Sequence, residues 1–325
     1  MATAAQVKAL FESYKNGDDA RFKAIATQIM AYEKNKGNTN FAKDLDDLIK
    51  GFSKRIDNKI SSTSVVPIVA PQGELSGLFE VKYSSIKLEN LILSDNLSIK
   101  LNRVVKEQQE QQKLREYGLQ PKSKLLLLGL PGTGKTMTAE ALAGQLHLPL
   151  FTIQLDGLIS KYMGEASAKL RIIFDQIKKV RGIYFFDEFD AIGGSRELMN
   201  DVGEMRRILN SFLQFFENSR TDSLIIAATN HEKLLDKALF RRFDDVLRYE
   251  IPDADLMKRT LLKYLKKENI DKVDMDVLVK KNFGFSYAEL SKICENAIKK
   301  NILDGDEINT ELISELMNEA KDQKE

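Results

Sequence analysis

Hydrophobic and polar positions along this chain follow three regimes in turn. Near the N-terminus, apolar residues recur at helical spacing: Val7, Leu10, Phe11 and Tyr14, then Phe22, Ile25 and Ile29, then Leu45, Leu48, Ile49 and Phe52. Gly17 and the pair Gly37 and Asn38 break the pattern between them, which predicts a small helical bundle over residues 1–60. Ser, Thr, Pro and Gly then take over ("SSTSVVPIVAPQG", Ser61 to Gly73), and residues 61–85 read as a linker. In the second regime, residues 86–251, short apolar runs alternate with helix-length segments: "KLLLLGL", "LFTIQL", "GIYFFD", "SLIIAAT" and "VLRYEI". Their apolarity is continuous, so both faces of each strand are expected to be buried, as in a parallel sheet flanked by helices. Arg103 to Gly118 reads as a solvated helix leading into that sheet. The third regime, residues 252–325, carries only helical patterns and includes Ser286-x-x-Glu289, the form of a capping box.

Composition narrows the function classes. With 49 Lys+Arg against 48 Asp+Glu, the net charge is +1 over 325 residues, so no global attraction to nucleic acid or to an anionic membrane is expected. No apolar run approaches the roughly 20 residues of a membrane helix. The lone cysteine, Cys294, rules out an intrachain disulfide, and the first thirty residues lack a signal-peptide pattern, so a cytoplasmic protein is expected. Cys294, His147 and His231 read as a small buried residue, a helix end and a surface loop position.

The candidate chemistry follows the first buried run. Gly129 to Thr136 fits G-x-x-x-x-G-K-[ST] between a strand and a helical pattern, which is the context the motif requires. The segment Pro131, Gly132, Thr133, Gly134 and on to Met137 is placed to wrap phosphates: its backbone N–H groups, of which Pro131 has none, are the donors, and the helix N-terminus adds its positive end. Lys135 is expected to reach the outer phosphates and the Thr136 hydroxyl to ligate Mg²⁺. Some fifty residues on, "IYFFDEFD" ends a strand in Asp187, suited to the metal shell, and Glu188, suited to polarising an attacking water. Asn230 ends a further strand, where ligands collect in open parallel sheets, and is expected to bind the water or the γ-phosphate.

In this order the segments resemble the AAA+ ATPases, and within them the AAA subgroup, from about Leu91 to Leu303. The phosphate loop, "FFDEFDAI", "RRILNSFLQFFE", "AATN", "LLDKALFRRFD" and "GFSYAELSKICENA" carry the resemblance. It implies a P-loop α/β fold with a five-stranded parallel sheet in the order 5-1-4-3-2 and a C-terminal helical lid, with ATP held between lid and sheet. It also implies a homo-oligomeric ring, usually a hexamer, whose sites are completed by arginines of the neighbouring subunit. Arg241 and Arg242 fit that role. They stand side by side where the family often interposes Pro and Gly, and Arg242 is favoured because it precedes Phe-Asp. In the lid, Tyr287 replaces the family's usual Gly, while Ala288 is placed to pack near the adenine.

Tyr162, Met163 and Gly164 resemble the aromatic-hydrophobic-Gly pattern of pore loops in protein-threading rings. The reading is an ATP-hydrolysing ring that remodels, unfolds or threads protein clients, with the N-terminal bundle selecting partners and a protease or other effector as a further partner. The alternatives are a nucleic-acid motor or loader and a nucleotide-gated scaffold.

Overall fold

A computed structural model describes residues 78–155, 165–193, 202–219, 221–235, 237–281 and 284–322. All of them belong to one compact unit, Val69–Glu325. The predicted N-terminal bundle (1–60), most of the linker and the segment with Tyr162, Met163 and Gly164 lie outside the described residues.

Six strands form one sheet: β1 (Glu80–Lys82), β2 (Lys124–Gly129), β3 (Leu150–Gln154), β4 (Ile183–Asp187), β5 (Leu224–Thr229) and β6 (Asp245–Tyr249), in the order β1-β3-β4-β5-β2-β6. The last five run parallel and are the five apolar runs of the sequence, in the arrangement that the resemblance implies. One strand is additional. Glu80–Lys82, read from the sequence as the end of a linker, pairs antiparallel with β3 through Glu80 and Thr152, Val81 and Phe151, and Lys82 and Leu150. Its exposed–half-buried–exposed pattern fits an edge strand too short and too polar to register as an apolar run.

Helices cover both faces. α1 (Asp95–Gln109) and α3 (Lys135–Leu146) share one core with Leu125, Leu127, Phe185, Ile226 and Leu247, while α2 (Gln111–Glu116) buries nothing. On the opposite face, α4 (Ala166–Lys179) and α6 (Val202–Asn218) pack against Leu126, Phe186 and Ile225. α5 (Asp190–Gly193) and α7 (Lys237–Phe240) are single turns after β4 and β5. Rings dominate the second core: Phe212 lies edge-on to Phe174 and Phe186 at 5.4 and 5.5 Å between centroids, and Phe216 contacts Phe243 at 4.9 Å.

α1 departs from the solvated helix expected over its second half. Leu97, Leu101, Val104 and Val105 face the sheet, and the buried Gln108 donates to the Lys122 carbonyl at 2.8 Å. Their i, i+4, i+7 spacing begins at Leu97, before the polar stretch Arg103 to Gly118.

Four helices form the C-terminal lid: α8 (Ala254–Tyr264), α9 (Met275–Lys281), α10 (Tyr287–Asp304) and α11 (Thr310–Asp322), around a core of their own that includes Leu261, Leu290, Ile293, Cys294 and Ile313. The capping box at the start of α10 forms: Glu289 N–H donates to the Ser286 hydroxyl, and Ser286 N–H donates to the Glu289 carboxylate at 2.7 Å. Burial pushes the Cys294 thiol up to about 12, as befits an apolar position. His147 caps α3 in the left-handed region at φ 55, and His231 is exposed.

Candidate active site

The sheet order positions the candidate residues. β5 lies between β2 and β4, so the carboxyl ends of three adjacent parallel strands lead into the phosphate loop, Asn230 and the Asp187–Glu188 pair. Ligands in open α/β sheets gather at that edge. Pro131, Gly132, Gly134, Lys135, Thr136 and Met137 line one cleft of about 740 Å³ together with Asp187, Glu188 and Asn230. Tyr287 and Ala288 line it from the lid.

Between β2 and α3 the loop is tightly constrained. A Cβ on Gly129 would stand 2.3 Å from the Tyr249 carbonyl oxygen of the neighbouring β6, a contact no side chain can make. Gly132 has φ +72, and a Cβ there would meet Ser286 Oγ at 2.7 Å and Ala288 Cβ at 2.9 Å. Thr133 is buried, its hydroxyl donating to the Leu130 carbonyl at 2.7 Å, so it shapes the loop.

Lys135 is buried and all three of its ammonium protons are engaged: Nζ donates to the carbonyls of Gly129 and Leu130 at 2.7 and 2.9 Å and to Asn230 Oδ1 at 2.7 Å. Burial pulls its pKa below the usual lysine value, and the charges of Asp187 and Asp190 oppose that pull. Thr136 and Glu188 are exposed to the cleft, while Asp187 is half-buried. The Thr136 hydroxyl and Asp187 carboxylate are hard oxygen donors lining the same cleft, and that donor chemistry suits Mg²⁺. Glu188 has φ 51 in the left-handed region, and its N–H donates to Asp187 Oδ1 at 3.0 Å.

The lid closes directly on the loop, with Ala288 N–H donating to the Gly132 carbonyl at 3.1 Å. Tyr287, half-buried, has its hydroxyl pushed up to about 12 by burial and by Asp253. It also borders a smaller cavity of about 40 Å³ with Leu91, Ile92, Leu93, Met137 and Tyr264.

Arg241 and Arg242 are the candidates that the fold keeps apart from this cleft. They precede β6, where Asp244 N–H donates to the Lys124 carbonyl at the start of β2, whereas the phosphate loop follows its end. At ~3.3 Å per residue, the length of β2 alone separates the two places by roughly 16 Å. Arg241 is exposed and Arg242 pairs with Glu217 at the end of α6.

Sequence reasoning missed several contributors. Ser291, Lys292, Glu295 and Lys299 of α10 line the cleft, and a polar stripe at i, i+3, i+4, i+7, continuing from Ala288, was the available signal. Thr229 and Asp190 were missed as well. The hydroxyl of Thr229, a residue 1% exposed, bonds Asp190 Oδ1 at 2.5 Å, a pairing between the end of β5 and the start of α5 that no local pattern announces.

Residues 125–251 match the model of the family described as "ATPase family associated with various cellular activities (AAA)". A relative from Sinorhizobium fredii, "Uncharacterized AAA family ATPase y4kL", is 34% identical over 309 residues, covering 94% of this chain and 91% of the relative. An "ATP-dependent zinc metalloprotease FtsH" from Parabacteroides distasonis is 35% identical over 195 residues, 57% of this chain but 28% of that protein. A "Proteasome-activating nucleotidase" from Saccharolobus islandicus is 35% identical over 200 residues, 59% of this chain and 51% of that protein.

Proposed function

The chain belongs to the AAA family of ATPases, and on that premise we propose that it is a ring motor which spends ATP on pulling protein clients apart. The observation that carries the reading is the convergence of Lys135, Thr136, Asp187, Glu188 and Asn230 on one cleft roofed by the lid. That is the equipment for transferring a phosphoryl group to water.

In this reading Lys135 exchanges its bonds to two loop carbonyls and Asn230 for the outer phosphates of ATP, and the loop N–H groups hold the remaining oxygens. Thr136 and Asp187 would hold Mg²⁺, which when bound neutralises charge on the phosphate oxygens. Glu188, exposed at the rim, takes the proton of the attacking water, and Asn230, released from Lys135, orients that water or the γ-phosphate. Arg242, remote from its own cleft, is suited to the cleft of a neighbouring subunit in a ring.

Protein as the substrate class is supported by the relatives named as a proteasome-activating nucleotidase and a protease, and by Tyr162, Met163 and Gly164. The chain spans about half of the former and under a third of the latter, so their partners and substrates enter here as part of the proposal: a homo-oligomeric ring, a protein client and a partner protease or effector. Among the described residues no helix is long and apolar enough to cross a membrane.

The test is Tyr162→Ala, assayed for ATP hydrolysis and for unfolding of a tagged client in parallel. An aromatic face offers contact area that a methyl group cannot replace, so client processing should fall at least tenfold while basal hydrolysis stays within about twofold. Wild-type client processing by the variant would overturn threading and favour the scaffold or nucleic-acid reading.

A further inference from the structure

Beyond the end of the regular ladder, β4 and β5 stay tied by two bonds. Phe189 N–H donates to the Ala228 carbonyl at 2.9 Å, and the Thr229 hydroxyl bonds Asp190 Oδ1 at 2.5 Å. That hydroxyl also accepts the His231 N–H at 2.9 Å. A hydroxyl has one proton, and with His231 supplying a donor the proton of Thr229 goes to the Asp190 carboxylate, giving a short bond to an anionic acceptor.

Two candidate residues are bracketed by this one group. Asn230 lies between Thr229, whose side chain makes both bonds, and His231, whose N–H is one of the donors. Glu188 lies between Asp187, which accepts the Glu188 N–H at 3.0 Å, and the Phe189–Asp190 pair, bonded to Ala228 and Thr229. Its φ of 51 is a conformation that non-glycine residues hold only where neighbouring bonds over-determine it. We infer that Thr229 is a positioning residue, which through Asp190 fixes the Glu188 turn relative to Asn230 and so sets the water-activating carboxylate against the γ-phosphate. The inference rests on the roles given to Glu188 and Asn230 above. Thr229 itself, 1% exposed, touches neither phosphate nor water in this account.

The experiment compares Thr229→Val, Thr229→Ser, Asp190→Ala and the Thr229→Val/Asp190→Ala double variant. Steady-state hydrolysis, affinity for a fluorescent ATP analogue with Mg²⁺, and the thermal midpoint are measured for each. Val keeps the shape of Thr and removes the hydroxyl; Ser keeps the hydroxyl. The inference requires kcat to fall about 10- to 100-fold in Thr229→Val, nucleotide affinity to stay within about threefold, and Ser to recover most of the rate. Asp190→Ala should reproduce the part of the loss that comes from the Thr229–Asp190 bond, and the double variant should be no worse than Thr229→Val alone, because Val already breaks that bond together with the one from the His231 N–H. Asp190→Ala is at a half-buried position and supplies the same reading if the Val variant does not fold. An unchanged kcat in a folded Thr229→Val or Asp190→Ala protein, equal losses in Val and Ser, or additive losses in the double variant would each overturn the inference. Glu188→Gln separates it from the parent reading: turnover surviving that change removes the base itself, whatever Thr229 does.

Discussion

Glu188 is the residue on which the hydrolysis reading turns. It is one of two non-glycine residues with positive φ among those described, and it sits exposed at the cleft while Asp187 behind it is half-buried and accepts its N–H. Gln has the same shape and the same tolerance of that backbone but cannot take a proton. Glu188→Gln is therefore expected to bind ATP as the wild type does and to hydrolyse it at least about 10² times more slowly. Isothermal titration with ATP beside a phosphate-release assay checks both halves, and fast release by the purified variant would reassign the base. Lys135 is a useful contrast. With three donors matched to three acceptors, it is already satisfied, so ATP gains only the difference between phosphate oxygens and two carbonyls plus an amide.

At the scale of elements, the decisive contact is between the start of α10 and the phosphate loop. Ser286 caps the helix, Ala288 N–H bonds the Gly132 carbonyl, and both side chains crowd the space a Cβ on Gly132 would take. Gly132→Ala would carry ~1–2 kcal/mol of left-handed strain and would also push the lid off the loop. ATP affinity is expected to fall at least tenfold, with the thermal midpoint lowered by about 2–8 °C. Titration and a thermal scan decide it: a Gly132→Ala protein with wild-type affinity would show that lid and loop do not bind nucleotide jointly.

At the scale of the whole molecule, Arg242 is the informative residue because the fold places it at the opposite end of β2 from its own phosphate loop. Its pair joins a half-buried guanidinium to the exposed carboxylate of Glu217 and contributes at most about 1 kcal/mol. Arg242→Ala should thus leave folding and ATP binding near wild type while lowering hydrolysis by about 10³-fold, the scale of an arginine supplied to a transferring phosphoryl group. If the group acts across an interface, mixing Arg242→Ala with Lys135→Ala subunits should restore partial hydrolysis, since some interfaces then join an intact loop to an intact arginine. Demonstrated co-assembly without recovery would rule out action in trans.

The fold class, five of the six strands and the place of the glycine-rich loop between β2 and α3 were legible in the sequence, because buried parallel strands need unbroken apolar runs and so tight a strand-to-helix turn needs glycines at fixed positions. Asp187, Glu188 and Asn230 were legible for a related reason: each directly follows or ends such a run, so position along the chain already gave position at the sheet edge. What only the tertiary structure decided are pairings between distant segments. The edge strand Glu80–Lys82 is defined by its partner β3 and not by its own composition, and the buried side of α1 is defined by the sheet beneath it. The bond from Lys135 to Asn230, the tie from Thr229 to Asp190 and the seat of Ala288 on Gly132 join residues 95, 39 and 156 positions apart. Local periodicity reports which face of an element is buried, and it carries no record of which side chain stands opposite when two loops meet.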